Sequence, residues 1–242
     1  MPEVALYLDL LSPPCRAVYL FAKASKIPFK NNVVQLGKGE HLSEEFGKVN
    51  PLRKVPALKD GDFTMGESNA ILLYLIRKFK TPDHWYPSDL QKRARVDEYL
   101  AWHVTTARPG TSKLFWLKAM TPYVTGHEVT PEKLNAALCE FKTISTTIQD
   151  VFLQDKPFLV GDEVSIADVV ALADIGQTFV SGLDVFEDYP KLAAWKQRVK
   201  EAVGVELCKE AHEGIANFRE THKQIPPEMK EKFQARLEYF SR

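Results

Sequence analysis

The sequence has no excess of either charge. Its 242 residues include 32 lysines and arginines and 32 aspartates and glutamates, so the formal net charge is zero. Nucleic acids and anionic membrane surfaces select proteins with a basic excess. The sequence also lacks any run of roughly 18 or more apolar residues, the length that a membrane-spanning helix needs. We therefore expect neither nucleic acid nor a membrane as a partner of this chain.

Cysteine is scarce as well. The three cysteines, at positions 15, 139 and 208, are too few and too far apart for a disulfide framework or a zinc-ligand spacing. The six histidines show no metal-binding spacing such as H-E-x-x-H, so no metal is predicted. The first residues include Glu3 and Asp9 but no basic residue before the apolar run, unlike a signal peptide. The expected location is the cytoplasm.

The composition indicates a chain with a sizeable hydrophobic core. Hydrophobic residues make up 45% and charged residues 26% of the chain, as in soluble globular proteins. The pattern up to Phe79 predicts a strand in "VALYLDL", a helix from about Cys15 to Ala24 and a second strand in "IPFKNNVVQL". A hairpin in "VPALKDGDFTM" and a helix in "ESNAILLYLIRKF" follow. This order indicates a small α/β domain.

The rest of the chain reads as helical. The stretch "KTPDHWYPSDLQ" is typical of a linker, and the patterns after it are those of helices. In "SIADVVALADIG", Ser165 and Asp168 have the spacing of a capping box, so both are assigned to structure, and the run after them predicts a helix buried on all sides. We predict an α/β domain over 1–82, a linker over 83–87 and an all-α domain over 88–242.

The segment "LLSPPCRAVYLFAK" has the spacing of a dithiol redox motif, but Ser12 replaces the first thiol. One interpretation is structural, because serine is a favoured N-cap and proline suits the first helical turn. Cys15 would then be a small buried packing residue. A second interpretation is functional: a serine hydroxyl at a helix N-terminus can donate a hydrogen bond to a bound anion, including a ligand thiolate.

The whole chain resembles the cytosolic glutathione transferases, and most closely their theta class. The resemblance rests on five segments: "LYLDLLSPPCRAVYLFAK", "KGEHLSEEFGKVNPLRKVPALKDGDFTMGESNAILLYL", "WYPSDLQKRARVDEYLAW", "SIADVVALAD" and "YPKLAAWKQRV". Serine at position 12 is similar to theta-like members and unlike the classes that use tyrosine. The resemblance implies a thioredoxin-like first domain that binds glutathione and an all-α second domain that completes the site for the electrophile.

Three positions of the first domain are implied by the resemblance to act at the reacting end of glutathione. Ser12 would hydrogen-bond the sulfur as the catalytic residue. Pro56 matches the position of a cis-proline in the family and has a structural role. Val55 before it would pair its backbone with the cysteinyl part of glutathione, like an added strand.

Four further positions match contacts to the two ends of glutathione. Glu67 and Ser68 would bind the γ-glutamyl end, where Ser68 and a helix N-terminus suit the carboxylate and Glu67 suits the ammonium group. His41 and Lys54 would bind the glycine end, whose carboxylate requires a cation or a donor. These assignments depend on the family match, since a lone loop histidine or lysine is otherwise solvated surface.

The resemblance also places Arg108 in the cleft, near both glutathione and the electrophile. Thr105 matches a position that contacts glutathione across the dimer in some relatives. Pro109 and Gly110 follow the arginine, and we expect them to break or kink the first long helix of the second domain.

The C-terminal segment "IPPEMKEKFQARLEYFSR" is typical of theta-like members, in which it covers the electrophile pocket. Phe233, Leu237 and Phe240 have helical spacing and are predicted to pack down, with Arg236 at the electrophile site. The alternative is a surface helix with solvated charges.

The implied reaction is attack of the glutathione thiolate on small electrophiles such as alkyl halides and epoxides, and reduction of organic hydroperoxides. Glutathione is a co-substrate, and no cofactor is expected. The family forms homodimers, with "DGDFTMGESNA" and the helix after residue 88 at the interface. Two alternatives remain: a glutathione-dependent thiol-disulfide reductase that uses an exposed Cys15, and a non-catalytic ligand-binding domain of the same fold.

Overall fold

The computed structural model describes residues 3–178, 186–218 and 226–240. Its strands are β1 (Val4–Leu8), β2 (Phe29–Val33), β3 (Ala57–Asp60) and β4 (Phe63–Met65). Its helices are α1 (Pro13–Ala24), α2 (Glu44–Val49), α3 (Ser68–Phe79), α4 (Leu90–Thr105), α5 (Ala107–Phe115), α6 (Thr121–Thr125), α7 (Pro131–Thr147), α8 (Ile166–Gly176), α9 (Pro190–Val203), α10 (Val205–Ala216) and α11 (Pro227–Phe240). Among the described helices, none has the length and apolarity to cross a membrane.

The four strands form one mixed sheet. Their order is β2-β1-β3-β4, with β1 parallel to β2 and antiparallel to β3, and β3 antiparallel to β4. The predicted strand-helix-strand and hairpin-helix order is therefore confirmed. The connection between β2 and β3 contains α2, whose Ser43 N-cap accepts a hydrogen bond from the Phe46 backbone at 3.1 Å.

Helix α1 is the element that joins the sheet to the helical part of the chain. It packs against α3 of the first domain and against α8 and α10 of the second. Nine of its twelve residues are buried, and one of them is the charged Arg16. A helix covered on this many sides cannot shift without moving both domains, so it fixes the cleft between them.

Helix α8 is buried along its whole length, as its nearly continuous apolar run predicts. The expected capping box at its start is present, and Asp168 accepts from the Ser165 backbone at 2.9 Å. Asp168 also accepts from the Leu159 backbone at 2.9 Å and from the Trp195 indole at 2.8 Å. The fold thus agrees with an α/β thioredoxin-like domain followed by an all-α domain.

The first long helix of the second domain is broken, but earlier than expected. Helix α4 ends at Thr105, Thr106 has φ −127° and ψ −66°, and α5 begins at Ala107. Pro109 has no N–H for the carbonyl of Thr105, and its ring would clash with that carbonyl in a continuous helix. The break therefore lies at Thr106, before Arg108 and three residues before Pro109.

Gly110 brings α5 close to α7. A Cβ atom built on Gly110 would lie 2.2 Å from Cδ1 of Ile144, whereas one on Gly214 in α10 would lie 3.7 Å from Leu11. The first spacing is a clash, and the second is an ordinary contact.

We expect Gly110→Ala to lower the free energy of unfolding by about 1–3 kcal/mol, because overpacking outweighs the gain in helix propensity. The matched control Gly214→Ala should instead raise it by about 0.5–1 kcal/mol. Adding Ile144→Val to Gly110→Ala should recover part of the loss. Denaturant unfolding measures all three, and equal effects of the two glycine substitutions would contradict this account.

Candidate functional site

Two cavities meet at the start of α1. The larger, which we call the Ser12 cavity, has a volume of about 310 Å³. Its lining is mainly apolar and includes Leu11, Leu36, Phe115, Trp116, Met120, Phe218 and Phe233. The smaller, which we call the Ser68 cavity, has a volume of about 170 Å³. Its lining is more polar and consists of Pro14, Lys54, Val55, Pro56, Glu67, Ser68, Asn69, His103, Val104 and Arg108.

Ser12 lies close to both cavities in the chain but lines only the larger one. It lines the larger one together with Pro13, while the next residue, Pro14, lines the smaller one. A ligand in the Ser68 cavity could therefore extend a reactive atom past the start of α1 towards Ser12. The sequence-predicted residues Lys54, Val55, Pro56, Glu67, Ser68 and Arg108 all lie in one place, along this path.

The conformation of Ser12 is that of an N-cap, yet its side chain does not cap. Its backbone has φ −87° and ψ 123°, and within the described chain the hydroxyl accepts no capping hydrogen bond. Pro13 and Pro14 fill the first two helical positions and have no N–H to offer. The structural interpretation of the serine thus explains its backbone but not its hydroxyl, which makes no capping hydrogen bond and lies beside the Cys15 thiol.

The Ser68 cavity is shaped by two unusual backbone features. The Val55–Pro56 peptide bond is cis. Glu67, immediately before α3, has φ 64°, a left-handed conformation that is uncommon for a residue other than glycine. A positive φ at a residue other than glycine persists only where the surrounding structure holds it, often at a binding site. Val55 and Ser68 both line the wall of this cavity.

Arg108 is held by a chain of buried polar groups. Its Nε donates to Asp174, a fully buried carboxylate on α8. The other oxygen of Asp174 lies 3.0 Å from Nδ1 of His103, and Nε2 of His103 lies 3.0 Å from Nδ2 of Asn69. Burial alone would raise the pKa of Asp174, but the Arg108 and His103 side chains outweigh it and lower the pKa.

The Nη2 group of Arg108 is not used in this chain of hydrogen bonds. It is buried and has no hydrogen-bond partner among the residues that the structure describes. Because Arg108 lines the Ser68 cavity, this donor suits a carboxylate bound there. Arg108 does not line the Ser12 cavity, so the structure places it nearer to the predicted glutathione site than to the electrophile site.

The C-terminal helix α11 covers the Ser12 cavity from the other side. Leu237 and Phe240 are buried, Phe233 is partly buried, and the ring centroid of Trp116 lies 6.0 Å from Phe233 and 5.8 Å from Phe240. The expectation that this face packs down is therefore confirmed. Arg236 lines the same cavity as Ser12.

Two predicted residues lie outside both cavities. His41 is in a short turn over Glu40–Leu42, where burial and the nearby Lys232 of α11 lower its pKa. Thr105 is exposed at the end of α4, and its hydroxyl donates to the carbonyl of Trp102 at 3.2 Å. The structure does not bring either side chain into contact with the other predicted site residues.

Cys15 is not placed for redox chemistry. It is fully buried, and burial is the main cause that raises the pKa of its thiol to about 12. An attacking cysteine requires exposure and a lowered pKa. The reductase alternative, which requires an exposed Cys15, is therefore contradicted by the structure.

Sequence reasoning missed several residues of the site. Arg16 is fully buried beside Ser12, and Gln177 lines the Ser12 cavity. Asn69, His103 and Asp174 connect Arg108 to three helices. The only available signal was in "VVALADIGQT", where Asp174 and Gln177 interrupt an apolar run three residues apart.

Two family models match the chain. The model of the glutathione S-transferase N-terminal domain matches residues 6–83, and that of the glutathione S-transferase C-terminal domain matches residues 109–202. Together they cover most residues that line the two cavities; the lining residues outside the matched ranges are His103, Val104, Arg108, Phe218, Phe233 and Arg236.

Individual relatives match over a greater length. Human glutathione S-transferase theta-1 is 55% identical over 215 residues, which cover 89% of this chain and 90% of the human protein. The solved apo structure of human glutathione S-transferase T1-1 has 51% identity and a TM-score of 0.94. The match covers 99% of this chain and 100% of that chain. Human glutathione transferase theta-2, solved in complex with glutathione and an unknown ligand, has 43% identity and a TM-score of 0.92, covering 98% of this chain and 100% of its own. The chain therefore belongs to the theta class of the glutathione S-transferase family.

Proposed function

We propose that this glutathione transferase uses Ser12 to hold the glutathione sulfur as a thiolate, which attacks small electrophiles in the Ser12 cavity. The observation that carries the proposal is that Ser12 lines the apolar cavity while Pro14, two residues later, lines the polar one. Alkyl halides and epoxides fit an apolar cavity of about 310 Å³, and organic hydroperoxides are a further class. Glutathione is the co-substrate, and we propose that no resident cofactor is needed.

The Ser68 cavity would hold the rest of glutathione. Ser68 and the N-terminus of α3 suit the γ-glutamyl carboxylate, and Glu67 suits the ammonium group. Val55 offers its backbone to the cysteinyl part, as an edge strand does to an added strand. Lys54 and Arg108 supply the positive charge of this cavity.

Three further predicted assignments stay part of the proposal with less support from the geometry. His41 would bind the glycine end, Thr105 would reach glutathione from the partner subunit, and Arg236 would act in the electrophile site. Of these side chains, Arg236 is the one that lines a cavity.

The energy that Ser12 must supply is modest. Lowering a thiol pKa from about 8.5 by roughly two units corresponds to about 2.7 kcal/mol. A hydrogen bond to a charged group contributes about 1.5–3 kcal/mol. Ionisation alone accelerates attack by at most about 30-fold, since a few per cent of a free thiol is already ionised at neutral pH. Orientation in the cleft must supply the remainder. Ser12 therefore stabilises the nucleophile and is not the nucleophile itself.

We expect Ser12→Ala to raise the pKa of bound glutathione by about 1–2 units, because the hydrogen bond to the thiolate is lost. Turnover with an alkyl halide at neutral pH should fall at least about tenfold, and the deficit should narrow as the pH rises through the new pKa. Thiolate absorbance and initial rates measure the two effects. Cys15→Ala is the control and should keep both properties; a Ser12→Ala enzyme with an unchanged thiol pKa would contradict the proposal.

The cysteines provide a direct test against redox chemistry. Cys15 and Cys208 are buried, and burial raises their pKa values to about 12 and about 11, whereas Cys139 is exposed. We expect a thiol reagent to label one cysteine quickly in the native protein and all three only after unfolding. Cys139→Ser should abolish the fast labelling. Fast labelling of Cys15 in the native protein would restore the reductase alternative.

We also propose a homodimer whose interface includes the β3–β4 hairpin and α4. Large apolar side chains are exposed on both elements: Phe63 is 49% exposed, Leu90 79% and Val104 54%. Val104 also lines the Ser68 cavity, so this interface would border the glutathione site.

If this face forms the dimer, Phe63→Asp should place an unpaired charge in the interface and shift the protein towards monomer. The dissociation constant should rise at least about tenfold, because burying an unpaired charge costs several kcal/mol. Sedimentation at several concentrations measures it. Val151→Asp is the matched control, since Val151 is 58% exposed outside the proposed interface. Equal masses of the wild-type protein and the Phe63→Asp variant would reject this interface.

The remaining assignments are consistent with this function. The division into 1–82, 83–87 and 88–242 would separate the glutathione-binding domain from the domain that completes the electrophile site. The three free cysteines suit the reducing environment of the cytoplasm, where we propose that the enzyme acts.

A further inference from the structure

Gln177 is a buried polar side chain in the wall of the Ser12 cavity. It follows directly after α8 and lines the cavity together with Ser12. The apolar side chains that surround this cavity cannot hydrogen-bond a substrate. A donor fixed among them would therefore act where water is scarce and where a hydrogen bond is strongest.

Arg16 determines which way the amide of Gln177 points. Nη2 of Arg16 lies 2.6 Å from Oε1 of Gln177. A guanidinium is a donor only, so the amide atom that faces it must be the oxygen. Burial and the nearby Arg108 lower the pKa of Arg16 to about 9, so Arg16 stays charged at neutral pH. The amide nitrogen of Gln177 is thereby turned away from Arg16.

The same arginine fixes Gln177 relative to Ser12. Its Nη1 donates to the carbonyl of Leu10 at 2.8 Å and to that of Leu11 at 3.1 Å, directly before Ser12. Its Nη2 also donates to the carbonyl of Ala173 on α8 at 2.9 Å. One rigid, fully buried cation thus connects the loop that carries Ser12 with the end of the helix that carries Gln177.

The other polar side chains that line the cavity in the described part of the chain are less buried than Gln177. Ser112 and Tyr123 are on α5 and α6, and Arg236 is on α11 with its side chain exposed and stacked on Tyr239 and Phe240. Gln177 is buried, and its partner Arg16 is the charged residue beneath the Ser12 loop. Its geometry is set before a substrate binds, which is the property that lets a donor stabilise developing charge.

We propose that the amide N–H of Gln177 donates a hydrogen bond to the oxygen of the electrophile, so that the Ser12 cavity favours substrates that develop negative charge on oxygen, above all epoxides. This proposal rests on the proposed function, because it assumes that the thiolate stands at Ser12. It assigns Gln177 as a catalytic residue that selects the electrophile class.

The step can be written in full. The glutathione sulfur donates an electron pair to an epoxide carbon, and a carbon–sulfur bond forms while the carbon–oxygen bond breaks. The bond pair moves to the oxygen, which becomes an alkoxide and takes a proton from solvent. Gln177 keeps its own protons and stabilises the alkoxide only by its hydrogen bond. An alkyl iodide releases a large, weakly accepting iodide, which gains little from the same donor.

The test compares two electrophiles of equal carbon number, 1,2-epoxybutane and 1-iodobutane, in the full-length enzyme. Gln177→Glu keeps the shape and the acceptor for Arg16 but removes both amide donors, and Gln177→Met removes the acceptor as well. We expect kcat/KM for the epoxide to fall at least about tenfold in both variants. The fall for the iodide should be smaller, so the epoxide-to-iodide ratio should drop by about tenfold.

This ratio separates the proposal from other effects. A shift of the thiol pKa or of glutathione binding changes both rates equally and leaves the ratio unchanged. Gln91→Glu, the same substitution at an exposed position of α4, is the control and should change neither rate. An unchanged ratio in folded Gln177 variants, or a wild-type enzyme that uses the iodide but not the epoxide, would overturn the assignment of Gln177. A wild-type enzyme that binds glutathione but uses neither electrophile would overturn the proposed function as well.

Discussion

Arg16 donates four hydrogen bonds from the interior of the protein, to the carbonyls of Leu10 and Leu11, to the carbonyl of Ala173 and to the side chain of Gln177. A charge without partners would be too costly to bury, so these acceptors must stay in place for the arginine to remain inside. They belong to the loop before α1 and to α8, which lie in different domains. The cost of exposing this one charge therefore holds the Ser12 loop and the wall of the Ser12 cavity in one geometry.

Asp174 extends this arrangement to the second cavity. The carboxylate lies between two guanidiniums, since it binds Arg108 and attracts Arg16. Arg16 and Arg108 thus place two positive charges beneath the cleft, which Asp174 and the nearby Asp9 offset. The same carboxylate also binds His103, which reaches Asn69 at the start of α3. Helices α3, α4, α5 and α8 thus meet at one buried polar network. This network fixes the positions of the four helices around the cleft.

The sequence predicts those features that depend on interactions between residues close together along the chain. The capping box of Ser165 and Asp168, the buried run of α8 and the helix break before Pro109 each depend on residues within a few positions of one another. The segment around Ser12, Pro56 and Ser68 could be assigned because its motifs resemble a known family. The link between Arg16 and Gln177 joins residues 161 positions apart, and no local pattern encodes it. The burial of Arg16 could not be predicted for the same reason. An arginine on an otherwise apolar helix is assigned to the surface until its distant partners are known.

The two prolines after Ser12 limit what the start of α1 can offer to an anion. A helix N-terminus normally offers several free N–H groups to an anion. Pro13 and Pro14 remove two of them, and the backbone N–H of Ser12 is already bonded to Asp9 at 2.9 Å. The start of α1 is thus a poorer anion site than most, and under the proposed function a thiolate there would depend on the Ser12 hydroxyl and on the positive charge of Arg16. In return, the prolines fix the backbone at the point where the two cavities meet, so the serine is held in a defined position relative to both.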